Sequence, residues 1–186
     1  MCWYLSMLHI WGLMTPSSVS DFAGVVTRLA ATNNDHSFAI DNKAYDVAFD
    51  MLRPKSFVSV DLIAKMPMGL SFEEASAFPL VFLTVLFALE EQAGLKLGDC
   101  ILIHSADGGV GSVAVEYAHF VGAEMYATDS PSKHEYLQRI DIKNISTIND
   151  EAVFVWEMRW LLGDTGFDVV LSTGNLIDKS SDLLGK

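Results

Sequence analysis

From residue 100 onward, short runs of consecutive apolar positions alternate with stretches in which apolar positions recur every three or four residues. Cys100-Ile101-Leu102-Ile103-His104 reads as a strand covered on both faces. After it, Val110, Val113, Ala114, Tyr117, Ala118 and Val121 form one apolar face of a helix that Gly122 closes. The pattern then predicts a second strand at 124–128, a second helix at 132–139, a short third strand at 144–147, a third helix at 151–162 and a fourth strand at 167–171. Regular strand and helix alternation implies a parallel sheet with helices on both faces.

The first third of the chain reads differently. Phe22-Ala23-Gly24-Val25-Val26-Thr27 has the β-branched character of a strand, and Thr32-Asn33-Asn34-Asp35 carries turn chemistry. Short apolar pieces follow at Val47-Ala48-Phe49 and at Phe57-Val58-Ser59-Val60, separated by the breaker Arg53-Pro54-Lys55. Ser71 is placed to cap a short helix, with Glu74 at the capping-box position, and the helix stops before Pro79. A second helix is expected over 84–93, with Gly94 and Gly98 bracketing the turn that leads to Cys100. The expected organisation is a β-rich domain over residues 1–66 and an α/β domain over residues 67–186.

Composition narrows the possible functions. The chain has 186 residues, 51% hydrophobic and 19% charged, as a folded domain requires. A formal charge of -12 repels a phosphate backbone, so nucleic acid is excluded as a partner. One anionic cofactor remains compatible, because a helix N-terminus and a single placed cation can hold its phosphates. Cys2 and Cys100 are far apart and read as free thiols of a reducing, cytoplasmic compartment. The histidines and cysteines have no metal-ligand spacing. The apolar segment 1–14, with Trp3, Tyr4 and Trp11, lacks the marks of a signal peptide and the length of a membrane span, leaving a packed extension or an exposed patch that invites association.

The candidate chemistry lies in Ala106-Asp107-Gly108-Gly109-Val110-Gly111, between the first parallel strand and its helix. Gly108 would let backbone amides approach a pyrophosphate, and Gly111 would let the helix pack closely on the strand. Ala106 stands where the first glycine of such a turn usually sits, and a plain strand-turn-helix connection is the competing reading.

The wider pattern is more specific than the turn. The run from Leu62-Ile63-Ala64-Lys65-Met66-Pro67 to Ser71-Phe72-Glu73-Glu74-Ala75, then Pro79-Leu80-Val81-Phe82-Leu83-Thr84, then 102–111, resembles the enoyl reductase domain of polyketide and fatty acid synthases, especially the fungal highly reducing type. That domain falls within the zinc-free, quinone-reductase-like part of the medium-chain reductases. The similarity extends through Gly122-Ala123-Glu124-Met125-Tyr126-Ala127-Thr128, Lys133 and 167–171, and covers most of residues 21–173.

The resemblance implies a partial Rossmann fold, a doubly wound parallel sheet, preceded by a remnant of a β-rich GroES-like substrate domain. It implies hydride transfer from NADPH to the β-carbon of an α,β-unsaturated, carrier-bound acyl thioester during polyketide biosynthesis. Ala106, Gly108, Gly109, Val110 and Gly111 would line the pyrophosphate, Thr84 would lie near the nicotinamide, and Lys133 would meet the adenosine 2′-phosphate with help from Ser130 or Ser132. Asp129 complicates the choice, because an acid at the end of the second strand binds a free ribose 2′-hydroxyl and repels a phosphate, which leaves NADH open.

Departures from the family pattern accompany these matches. Residues 1–20 do not resemble its opening strands, the turn around Asn42-Lys43-Ala44-Tyr45-Asp46 is altered so that strand pairing there is in doubt, and Ser172-Thr173-Gly174-Asn175 replaces a family loop. The chain reads as truncated at both ends, and the lysine and aspartate that serve as proton donors in similar enzymes fall beyond Lys186, so no catalytic residue is assigned. Two further functions stay open: a remnant that binds nucleotide or a synthase without turnover, and a reductase of free quinones or enones. A shortened sheet would also favour self-association or docking on a synthase.

His104 is expected to be a strand-end packing residue and Asp168 to cap or orient the fourth strand. Trp156 and Trp160 are expected in a core or an interface, and Glu73-Glu74 in a solvated first helical turn.

Overall fold

The computed structural model describes residues 19–29, 38–49, 54–147, 151–162, 166–172, 180 and 183–185. The expected turn at 32–35, the aromatic segment 1–14 with Cys2, Arg53 and the loop residues 173–175 lie outside the described residues.

Two compact units divide between Leu83 and Thr84. In the first, β1 (Val19–Val25) and β2 (Lys43–Phe49) run antiparallel, with Val19 opposite Phe49 and Val25 opposite Lys43, and the short β3 (Ala64–Lys65) pairs with the other edge of β2. Strand pairing is thus intact across Asn42–Asp46, and β2 is longer than its apolar core 47–49 suggests. Residues 57–60 form no strand; Phe57 is 93% exposed and a 3-10 turn follows at Val60–Leu62.

Helix α1 (Phe72–Ala75) has the expected cap. The Glu74 amide donates to Ser71 Oγ at 3.1 Å and the Ser71 amide donates to Glu74 Oε2 at 2.8 Å, which lowers the Glu74 carboxyl from its ordinary range. Residues 71–83 pack with the antiparallel sheet. The Leu80 amide donates to Asp21 Oδ1 at 2.6 Å, and the Tyr45 and Phe78 rings lie 5.7 Å apart.

The second helix begins earlier than expected. Helix α2 (Pro79–Val85) starts at the proline, whose missing N–H costs nothing at a first helical position. It continues as a π-helical stretch, Leu86–Gln92, in which the Ala93 amide reaches back to Ala88 O at 3.0 Å. Within Phe72–Gln92 an 18-residue window reaches a mean hydropathy of 1.7, apolar enough for a membrane-crossing segment. The stretch is broken at 76–78, and the two seven-residue pieces after the break rise only about 21 Å at α-helical pitch, short of the roughly 30 Å of a hydrocarbon core.

The second unit holds the parallel sheet, in the order β6-β5-β4-β7, formed by β4 (Cys100–His104), β5 (Glu124–Thr128), β6 (Asn144–Ser146) and β7 (Val169–Leu171). This is a Rossmann-like arrangement. Ile101, Leu102, Ile103 and His104 are all buried, so β4 is covered on both faces. Helix α3 (Gly109–Val121) buries Val110, Ala114, Val115 and Ala118; α5 (Glu151–Leu162) sends Phe154, Met158 and Leu162 into a core with Leu102, Tyr126 and Phe167. The segment expected as one helix at 132–139 is a 3-10 turn, Pro131–Lys133, leading into α4 (His134–Arg139).

The carboxylate of Asp168 accepts from the Cys100 amide at 2.8 Å, while the Asp168 amide donates to Cys100 O at 3.0 Å. This reciprocal pair pins β7 to β4 as expected of that residue. Trp156 and Trp160 are 68% and 74% exposed, which removes them from the core.

Candidate functional site

The parallel strands β4 and β5 end side by side, with His104 opposite Thr128, and the chain leaves β4 through a tight turn. Ser105 takes a left-handed conformation with φ 53°, uncommon for a residue with a side chain, and its amide donates to Thr128 O at 2.9 Å. Its carbonyl accepts from the Gly108 amide at 3.0 Å, and Gly108 then caps α3 with the Ser112 amide donating back to its carbonyl at 2.8 Å.

Gly111 is required by this closure. A Cβ there would lie 2.2 Å from Ser105 O and 2.8 Å from Ala106 Cα, both backbone atoms that cannot swing aside. Gly108 has less need of its hydrogen, since a Cβ would meet Ser105 O at 3.2 Å. The start of α3 therefore sits directly over the end of β4. Amides of a first helical turn lack intrahelical acceptors and carry the positive end of the helix dipole. Ala106 is buried beneath the turn and Val110 faces the interior, leaving Gly109 as its exposed residue.

The mouth of the turn is charged. Asp129, only 6% exposed, follows β5 and accepts with Oδ2 from the Asp107 amide at 3.1 Å and with Oδ1 from the Ser130 amide at 2.7 Å. Lys133 reaches across from the 3-10 turn, its Nζ lying 2.7 Å from Asp107 Oδ2. That contact holds the Asp107 carboxyl below the usual carboxylate range and raises the Lys133 ammonium. Ser130 and Ser132 hydroxyls are 3.1 Å apart beside it, and the His134 ring donates through Nε2 to Asp129 O at 3.2 Å.

Below this rim, His104 lies between two hydroxyls, with Nδ1 2.7 Å from Thr128 Oγ1 and Nε2 2.7 Å from Ser180 Oγ. Burial pushes its pKa down to about 4, so it is neutral at physiological pH. The sequence placed it correctly as a strand-end residue.

The structure thus brings Ala106, Gly108, Gly109, Val110, Gly111, Asp129 and Lys133 together around one strand-turn-helix connection. Thr84 is half-buried on another element, as the penultimate residue of α2 in a continuing helical stretch, not the first residue of a helix. Sequence reasoning missed Asp107 as the partner of Lys133, although an acid inside a glycine turn was visible. Nothing in the sequence signals the strained Ser105.

No family model matches the chain. The erythronolide synthase EryA2 of Saccharopolyspora erythraea is 37% identical over 171 residues, which make up 90% of this chain and 5% of that protein. The highly reducing polyketide synthase azaB of Aspergillus niger is 35% identical over 170 residues, 88% of this chain and 7% of the synthase. Among solved structures, the CurK enoyl reductase superposes with a TM-score of 0.78 at 31% identity, covering 89% of this chain and 50% of that one. The chain is homologous to polyketide synthase enoyl reductases. It spans about half the length of the solved enoyl reductase and a small part of each synthase. The homologous segment contains the parallel sheet and its glycine turn, so the family resemblance read from the sequence and the Rossmann-like geometry coincide.

Proposed function

We propose that the chain carries the nicotinamide-binding part of an enoyl reductase and reduces α,β-unsaturated acyl thioesters in polyketide assembly, with NADPH as the hydride source. The observation that supports this most is the joint placement of the Gly108–Gly111 turn, Asp129 and Lys133 within a segment homologous to polyketide synthases. The residues fit the cofactor. A turn closed over a strand end leaves the amides of α3 facing outward for a pyrophosphate, with a carboxylate and an ammonium at the position where an adenosine ribose would follow.

When bound, the reduced nicotinamide supplies a hydride to the β-carbon of the alkene, and the α-carbon takes up a proton. The part played by this chain is binding and orientation. The α3 N-terminus would offset the pyrophosphate charge, Lys133 would take the 2′-phosphate, and Asp129 would orient the ribose and the turn itself. Thr84 is assigned to the nicotinamide end on the family resemblance. A cytoplasmic setting and a carrier-bound substrate on a synthase belong to the same reading.

The test is NADPH oxidation by the purified, folded chain, compared between an enoyl thioester on an acyl carrier and a free enone of the same chain length. Oxidation that requires the thioester supports the proposal. A preference for the free enone points to a quinone-reductase type of activity, and binding without oxidation of either points to a nucleotide-binding remnant; both outcomes overturn it.

A further inference from the structure

The ammonium assigned to the 2′-phosphate already has a partner. Lys133 Nζ lies 2.7 Å from Asp107 Oδ2, inside the distance of a charge-assisted hydrogen bond, and the Asp107 side chain is only 23% exposed. Asp107 is also fixed from behind, because its amide donates to the carboxylate of the buried Asp129 at 3.1 Å. The Asp107 carboxylate thus holds the cation, and the Asp129 carboxylate lies behind it, bonded to the Asp107 amide. A 2′-phosphate, dianionic or nearly so, would have to displace Asp107 from Lys133 and settle beside both acids. A ribose carrying a free 2′-hydroxyl faces no such exchange, since it can donate to a carboxylate while the ion pair stays closed.

We propose that Asp107 is a specificity-determining residue that competes with the cofactor 2′-phosphate for Lys133 and so lowers the preference of the site for NADPH over NADH. This rests on the reading of the glycine turn as a dinucleotide site. Asp107 belongs to the turn that bears the pyrophosphate-facing amides, and it reaches the rim residue that reads the ribose. One side chain thus couples the two ends of the adenosine diphosphate site. Its removal relieves repulsion for any dinucleotide, but it frees Lys133 only for one with a 2′-phosphate.

The experiment is calorimetric titration of the full chain and of Asp107→Asn with NADPH and with NADH. The same pair is then measured in a Lys133→Gln background, with thermal unfolding to establish that each variant is folded. The variant is expected to raise the ratio of NADPH to NADH affinity by about fivefold, the scale of a partly exposed ion pair, and to leave the ratio unchanged where Lys133 is already Gln. An equal gain for both cofactors, a loss of NADPH affinity, or a gain that persists without Lys133 would overturn the proposal while leaving the dinucleotide site standing. Failure of the folded wild-type chain to bind either cofactor would overturn both. Should Asp107→Asn fail to fold, Asp107→Ser gives the same comparison.

Discussion

Protonating His104 is a costly event in this fold. Its ring is 2% exposed between the Thr128 and Ser180 hydroxyls, and its pKa lies at about 4 instead of near 6.5. Because the folded value is depressed, the contribution to stability is complete above pH 6.5 and is lost progressively as the pH falls towards 4. By pH 5 the loss is about 2 kcal/mol. Denaturant midpoints measured from pH 7 to pH 4.5 should fall accordingly, and His104→Gln, which keeps hydrogen-bonding capacity without a titrating ring, should flatten the curve over that window. An unchanged slope in the variant would show that other groups carry the acid sensitivity. At this scale the sequence was partly legible. His104 could be placed from its position at the end of an apolar run, whereas the contact between Asp107 and Lys133 depends on how two separate turns meet in space.

At the scale of elements, the turn between β4 and α3 is closed by backbone contact, and Gly111 is where a side chain cannot enter. Gly111→Ala should cost about 3 kcal/mol, through overpacking that only a shift of α3 can relieve. Gly24→Ala is the control, since a Cβ at that strand position meets nothing within 4 Å and should change stability by no more than about 0.5 kcal/mol. Equal effects in chemical denaturation would mean that the helix is not seated as described. Strands β4 and β5 and helix α5 were readable because full burial produces consecutive apolar residues and one-sided burial produces a clear period. Helix α2 was not, because Pro79 looks like a stop when read alone and acts as a start once the chain before it has turned. Strand β2 hides behind Lys43 and Asp46, since its extent is set by pairing with β1 and β3 and not by its own residues. Trp156 and Trp160 fit a helical period, yet their exposure shows that period alone does not reveal which face is covered.

For the whole molecule, a chain with formal charge -12 still brings, among its described residues, a helix N-terminus and Lys133 together over the ends of β4 and β5. That location is the one open parallel sheets offer to dinucleotides, and similarity to a polyketide synthase and to a solved enoyl reductase supports the proposed hydride acceptor, an enoyl thioester. The central claim is transfer of hydride from a nicotinamide to an enoyl thioester. It is tested most directly by incubating the chain with a short α,β-unsaturated acyl thioester and NADPH deuterated at the transferable position, then reading the product by mass spectrometry. The account predicts a saturated thioester carrying one deuterium at its β-carbon. A saturated product without deuterium, or unaltered thioester in the presence of folded protein and bound cofactor, would contradict it.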